Sequence, residues 1–302
     1  MLSIIICTYN REKYLYDALK SIAENSFLFD KYEIVLINNN STDSTENECK
    51  RFQNDFPQVN FNYFLEKNQG LSFARNRGID EAKGNVLLFL DDDSFVENDY
   101  LKNLSDNLEK YPDYSAFGGK ITPKFENGEI PKWLSKWTYS WVSAIDLGEN
   151  IKEFSGKKYP IGANMGIKAD ILNKVGNFNK KLGRSKKNLM AGEEKDIFNR
   201  IKNIGGKIYY FPNIAVQHVI PPQRTTDEYI VKMGQGVGMS ERLRTLNISK
   251  TAYLKRLISE KIKWAASILL FFIFLIKLQP QKGTKLLLFR WNVTKGLLCE
   301  NF

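Results

Sequence analysis

The stretch Gly84 to Ser94, GNVLLFLDDDS, constrains the fold more than any other part of the chain. Val86 to Leu90 is an unbroken apolar run, the pattern of a strand buried on both faces, and it ends abruptly in Asp91, Asp92 and Asp93. Such a strand lies at the centre of an α/β sheet and delivers carboxylates to its C-terminal edge, where open sheets bind their ligands. Adjacent carboxylates repel one another unless a positive charge lies between them, and hard divalent cations take oxygen ligands of this kind. The triplet is therefore either a metal site under a phosphate-bearing ligand, or the acidic start of a loop and cap for a helix beginning near Asn98.

The chain before it supplies the rest of that sheet. Leu2 to Cys7 is a short apolar strand that gives way to the polar loop Thr8, Tyr9, Asn10, Arg11, and Leu15, Ala18, Leu19 and Ile22 then fall at helical spacing. Tyr32 to Ile37 predicts a second strand running into Asn38, Asn39, Asn40, Ser41, Thr42 and Asp43, side chains that favour turns and caps. A polar helix from Ser44 to Phe56, a strand from Val59 to Leu65 and a helix from Leu71 to Ala82 follow. This alternation implies a mostly parallel sheet with helices on both faces. No GxGxxG follows the first strand, and no GxxxxGKS/T motif occurs. Polar loops after three strands offer hydrogen-bonding groups for a base, a ribose and a diphosphate instead.

A net charge of +10 over 302 residues suits an anionic partner, whether nucleic acid, nucleotide phosphates or an anionic membrane surface. Cys7, Cys49 and Cys299 form no metal-spaced pair and no disulfide framework, which fits a reducing, cytosolic setting. The first strand begins at Leu2, leaving no room for a cleaved signal peptide.

Four blocks in order, IIICTYNRE, INNNSTDST, NQGLSFARNRGIDEAKG and LLFLDDDS, resemble the family 2 glycosyltransferases of GT-A fold. The resemblance implies a nucleoside diphosphate sugar as donor, a UDP-sugar first, with Mn²⁺ or Mg²⁺ as cofactor and no nucleic acid. By that resemblance Thr8 and Tyr9 pack around the nucleobase, and Asn39 and Asp43 hydrogen-bond base and ribose. Arg75 and Asn76 lie near the sugar and diphosphate. Asp93 and Asp91 hold the metal, and Asp91 or Asp92 contacts ribose or sugar. Asn38 and Asn39 depart from the family's frequent aspartate; an amide oxygen still accepts from a uracil ring N–H, and base identity is left more open.

Further along, IGANMGIKADIL resembles a segment between donor and acceptor sites, with Asn164 as its hydrogen-bonding residue. The run LGRSKKNLMAGEEKDIFNRI places Glu193, Glu194 and Asp196 at the start of a helix. Acids in a first helical turn are favoured by the helix dipole alone. The family's ED motif, however, makes Glu194 the base that deprotonates the acceptor, with Glu193 and Asp196 as alternatives. His218, the sole histidine, lies in VQHVIPPQRTTDEY, a segment that in the family completes the metal site. Trp133, Trp137, Tyr139 and Trp141 either join the core or stack on sugar rings.

The domain plan is a GT-A catalytic domain over 1–240, its nucleotide-sugar half at 1–100 and its acceptor half at 101–240, followed by a helical, membrane-associating extension over 241–302. Within it, WAASILLFFIFLI, Trp264 to Ile276, is flanked by Lys261, Lys263, Lys277 and Lys282. Thirteen helical residues span about 20 Å, short of the roughly 30 Å hydrocarbon core, so membrane-surface attachment is expected rather than a crossing. The alternative is a buried helical hairpin or a dimer interface. The expected activity is inverting transfer of a sugar to a hydroxyl of a glycan or lipid-linked acceptor in cell-surface polysaccharide or glycoconjugate synthesis, on the inner face of the cell membrane. Against it stand a non-catalytic nucleotide-sugar-binding scaffold and a sugar nucleotidyltransferase, the latter lacking its glycine-rich basic loop in CTYNRE.

Overall fold

The computed structural model describes residues 1–25, 27–183 and 192–299. Among these, β1 (Leu2–Thr8), α1 (Leu15–Ala23), β2 (Tyr32–Asn38), α2 (Thr45–Asp55), β3 (Phe61–Leu65), α3 (Leu71–Glu81) and β4 (Val86–Asp91) alternate as the sequence pattern requires. They are followed by β5 (Ser94–Val96), α4 (Tyr100–Lys110), β6 (Tyr114–Phe125), β7 (Lys152–Glu153), β8 (Asn164–Lys168), α5 (Ala169–Val175), α6 (Glu193–Asn203) and β9 (Lys207–Ile220). Three helices close the chain: α7 (Asp227–Ile248), α8 (Lys250–Ile276) and α9 (Pro280–Leu298).

The strand order is β3-β2-β1-β4-β8-β6-β9-β5, with β7 paired to β9. Pairing is parallel across β3, β2, β1 and β4, and antiparallel for β4 with β8, β6 with β8 and β5 with β9. The sheet is thus mixed, parallel where helices carry the crossovers and antiparallel at β4–β8, β8–β6, β9–β5 and β9–β7. The apolar runs alternate between two layers, as period-two geometry demands. Ile4, Ile6, Ile34, Leu36, Leu88 and Leu90 pack with Leu15, Leu19 and Phe52 on one face. Ile5, Val35, Ile37, Leu87 and Phe89 pack with Ala74, Ile197, Phe198 and Ile201 on the other. Burying each such side chain contributes about 1.5–3 kcal/mol, so both layers hold the strands in register.

The chain divides into two compact units, one of Met1–Lys124, Ser143–Lys180 and Glu194–Val219, the other of Phe125–Val142, Lys181–Glu193 and Ile220–Phe302. The first carries the sheet. In the second, α7 and α9 approach closely at Gly238, where a Cβ would come within 2.2 Å of the Val293 carbonyl oxygen. Gly234, Gly236 and Gly238 all lie within α7, and Gly238 is a packing site against α9. A buried ion network joins the three helices: Arg256 Nε lies 3.0 Å from Glu241 Oε2 and its Nη1 2.7 Å from Glu260 Oε2, while Arg290 Nη1 lies 2.9 Å from Glu260 Oε1. The Trp133 and Trp141 rings lie tilted with centroids 5.8 Å apart, and Trp141 meets Phe289 at 4.5 Å, which makes these tryptophans packing residues. Trp137 is exposed.

The apolar run from Trp264 to Ile276 is the C-terminal half of α8, a helix of 27 residues. At about 40 Å the whole helix is longer than the roughly 30 Å hydrocarbon core of a bilayer. Its N-terminal half is charged, and no helix among the described residues is long and apolar enough to cross a membrane.

Candidate active site and metal cluster

The end of β4 sets the site. Asp91 lies opposite Cys7 in the β1–β4 register, which fixes the height at which the carboxylates leave the sheet. β5 turns back directly and pairs with β9, placing Ser94 opposite His218, and the Val219 N–H donates to the Asp93 carbonyl at 2.9 Å. This return brings His218 Nε2 to 3.1 Å from Asp93 Oδ1 and 3.7 Å from Asp91 Oδ2. One ligand atom from each of Asp91, Asp93 and His218 lies within 4.8 Å of the others. His218 and Asp93 are buried, whereas Asp91 is partly open to solvent. Two carboxylate oxygens and one imidazole nitrogen form a donor set that fits a divalent cation, and the nitrogen suits Mn²⁺ better than Mg²⁺.

Arg11 was not singled out from the sequence, yet it is the cation of this cluster. Its Nη2 lies 3.2 Å from Asp93 Oδ2 and its Nε 3.5 Å from Asp92 Oδ1. Burial pushes the Asp92 carboxyl up to about 7; the Arg11 charge opposes that, and the Asp93 and Asp91 charges add to it. The signal for Arg11 was present in the polar loop after β1, but its partners arrive from β4, far along the sequence.

A second group lies where α3, α6 and the loop before β8 converge. Arg75 Nη2 donates to Glu194 Oε1 at 3.1 Å, and the Gly162 N–H donates to the same oxygen at 2.9 Å. A Cβ on residue 162 would fall 2.0 Å from the Arg75 guanidinium and 2.2 Å from Glu194 Oε1, so any larger residue there would displace this ion pair. The Arg75 guanidinium also lies 5.3 Å from the centre of the Phe178 ring. Both groups act on the Cys7 thiol at the end of β1: burial pushes it up to about 12, Arg75 pulls it down, and Asp91 and Asp92 push it up further. Asn164, two residues after Gly162, pairs with Leu90 in the β4–β8 register, so the Arg75–Glu194 pair and the aspartates share one strand end. Asp196 instead accepts from Arg200 Nε at 3.0 Å, and Arg200 donates to the Gly176 and Asn177 carbonyls. Glu193 is 3% exposed, and its Oε2 accepts from the Gly192 N–H.

The amides among the sequence-derived residues are engaged by backbone. Asn39 donates to the Glu66 and Asn68 carbonyls at 3.1 and 2.7 Å and accepts from the Gly70 N–H at 2.8 Å. Asn76 exchanges two 2.9 Å hydrogen bonds with the Phe178 backbone. Asn164 is wholly buried, accepting from the Tyr100 hydroxyl at 2.5 Å and donating to the Lys120 and Ile214 carbonyls at 3.2 and 2.8 Å. These three fasten the loops and strands behind the site. Asp43 accepts from the Glu12 and Thr45 N–H groups and the Thr45 hydroxyl, joining the loops after β1 and β2, where Thr8 is buried and Tyr9 half-buried. Residues 184–191, which precede the acidic cluster, lie outside the described residues.

A parallel half-sheet continued by antiparallel strands, with the acidic triplet at the end of its central strand, is the GT-A type of α/β fold. The chain belongs to glycosyl transferase family 2, whose model matches residues 3–176. A glucosyl-dolichyl phosphate glucuronosyltransferase of Haloferax volcanii is 27% identical over 268 residues, covering 84% of this chain and 82% of that protein. Among solved structures, the mannosyltransferase PcManGT from Pyrobaculum calidifontis, in complex with GDP-Man and Mn²⁺, superposes with a TM-score of 0.64 at 15% identity, over 99% of this chain and 88% of that one. Staphylococcus aureus TarS 1–349 with UDP-GlcNAc gives 0.54 at 17% identity, over 79% of this chain and 66% of that one.

Proposed function

We propose that the protein is an inverting, metal-dependent glycosyltransferase that moves a sugar from a nucleoside diphosphate sugar, a UDP-sugar first, to a hydroxyl of a lipid-linked glycan. The observation that carries this reading is the convergence of Asp91, Asp93 and His218 at the strand end that also bears the Arg75–Glu194 pair. Asp91, Asp93 and His218 would hold the cation, Mn²⁺ before Mg²⁺, and when bound it would neutralise charge on the departing diphosphate. The two donors on Oε1 fix the Glu194 carboxylate for general-base work. Its carboxylate takes the acceptor hydroxyl proton as that oxygen bonds to the anomeric carbon. The bond from that carbon to the diphosphate breaks, and the diphosphate leaves with the electron pair. Asp196 and Glu193 are the weaker alternatives, since Asp196 orients Arg200 and Glu193 is buried at its helix start.

The dolichyl phosphate substrate in the name of the Haloferax relative supports a lipid-linked acceptor, and GDP-Man and UDP-GlcNAc in the two structural neighbours leave the base to experiment. Such an acceptor puts the enzyme at the cytoplasmic face of the cell membrane as a peripheral protein. The test is release of nucleoside diphosphate from a panel of sugar nucleotides with Mn²⁺, Mg²⁺ or EDTA. Metal-dependent release of one diphosphate supports the reading and names the donor. Absence of both turnover and calorimetric diphosphate binding overturns it.

A further inference from the structure

The second unit carries a surface that the transfer reaction does not use. On α8, Leu254, Ile258, Ile262, Leu269, Phe272 and Ile276 recur every three, four or seven residues, which places them along one helical face. All six are exposed; Ile262 is 67% and Leu269 62% accessible. From first to last they run about 33 Å along the helix axis. Exposed contiguous apolar surface of this extent marks an interaction site.

The charge around it identifies the partner. Between residues 250 and 299 the chain has ten lysines and arginines and a single acid, Glu260. That acid is buried between Arg256 and Arg290, so it contributes no negative charge to the surface. Lys255 and Lys261 flank the stripe and Lys277 follows its end, all three exposed. Trp291 on α9 is 53% exposed with Lys295 over its ring, the amphipathic pairing favoured at a headgroup boundary. A second copy of the chain would bring the same lysines against one another, whereas an anionic lipid surface complements them.

We propose that α8 is a membrane-docking helix, lying in the plane of an anionic phospholipid surface with its Leu254 to Ile276 stripe in the acyl boundary and its lysines at the phosphates. This docking rests on the helix surface alone, so its failure leaves the reading of the metal and donor site standing, and the reverse.

The experiment is co-sedimentation of the full chain with phosphatidylcholine vesicles and with mixed phosphatidylcholine and phosphatidylglycerol vesicles, alongside its mass by light scattering. Wild type is expected to partition onto the anionic vesicles and to remain in solution with the neutral ones. Lys261→Glu with Lys277→Glu should reduce partitioning on the order of tenfold or more, and Leu269→Glu with Phe272→Glu should abolish it. Both pairs should retain the wild-type circular dichroism spectrum and vesicle-free diphosphate binding, which separates lost docking from lost fold. Equal partitioning of wild type and both double variants overturns the proposal. So does a wild-type dimer that ignores vesicles and becomes monomeric on Leu269→Glu with Phe272→Glu.

Discussion

Arg75 and Glu194, on helices separated by most of the first compact unit in sequence, share a 3.1 Å ion pair whose carboxylate oxygen is also held by the Gly162 N–H. Arg75 is almost completely buried, so its guanidinium is anchored rather than solvated. The pair orients a carboxylate at the strand end where the aspartates emerge.

If Glu194 accepts the acceptor proton, Glu194→Gln keeps the shape and an oxygen for the Gly162 N–H but removes the base. Turnover should fall by about a hundredfold or more, with calorimetric affinity for the diphosphate unchanged. Arg75→Met should lower turnover and diphosphate affinity together. Full activity in Glu194→Gln would transfer the role to Asp196 or Glu193.

Metal affinity is separable from turnover. The dissociation constant for Mn²⁺, read by electron paramagnetic resonance, should rise about tenfold or more in His218→Ala, since even partners of metal ligands cost 10–100-fold. Asp93→Ala should behave alike, with near-ultraviolet dichroism checking that the buried position tolerates the change. Unaltered Mn²⁺ binding in both variants would move the ion elsewhere.

Asn39→Asp restores the residue type frequent in the family and tests why it is absent here. The carbonyls of Glu66 and Asn68 each receive an N–H from this side chain, and a carboxylate supplies neither. Destabilisation of about 1–3 kcal/mol is expected in urea unfolding, visible as a lower midpoint. A variant of unchanged stability with tighter nucleotide binding would show that the residue serves the base instead.

Asp43 supplies a pH test. Burial acts to raise its carboxyl, but hydrogen bonds from Thr45 and the Glu12 N–H outweigh it and hold the group below its ordinary 3.8. A carboxyl depressed on folding stabilises above its unfolded pKa, and that contribution is lost as pH falls through the folded value. Wild type should therefore melt above Asp43→Asn at pH 7, and the gap should close as the pH drops below 3.8. A constant gap across that range would assign the difference to shape alone.

The two sheet layers were legible because Ile4, Val35 and Leu88 belong to continuous apolar runs, and a strand covered on both faces leaves that signature. The grouping of Asp91 and Asp93 with His218 was legible as well, since the triplet ends its strand and the sole histidine stands just before the apolar pair Val219 and Ile220. Asn76 and Asn164 were not, because an amide in a motif looks the same whether it faces a ligand or a backbone carbonyl. Their partners, Phe178 and Ile214, come from distant segments that the local pattern does not announce. Arg11 escaped for the same reason. The run from Trp264 onward left surface and core open, since hydrophobicity along a helix does not say what covers it; exposure of Leu269 and Phe272 required the packed neighbours.

The antiparallel pairing of β5 with β9 also fixes an order of assembly. A nascent chain that has emerged only through β4 and β5 carries the strands of the parallel half of the sheet, yet it holds its aspartates without their histidine. The cluster is completed when β9 closes on β5, which needs the chain up to Ile220. If the cluster holds a cation, competence for it arrives late in synthesis, and a metal-binding assay on chains of increasing length reports directly on closure of the sheet.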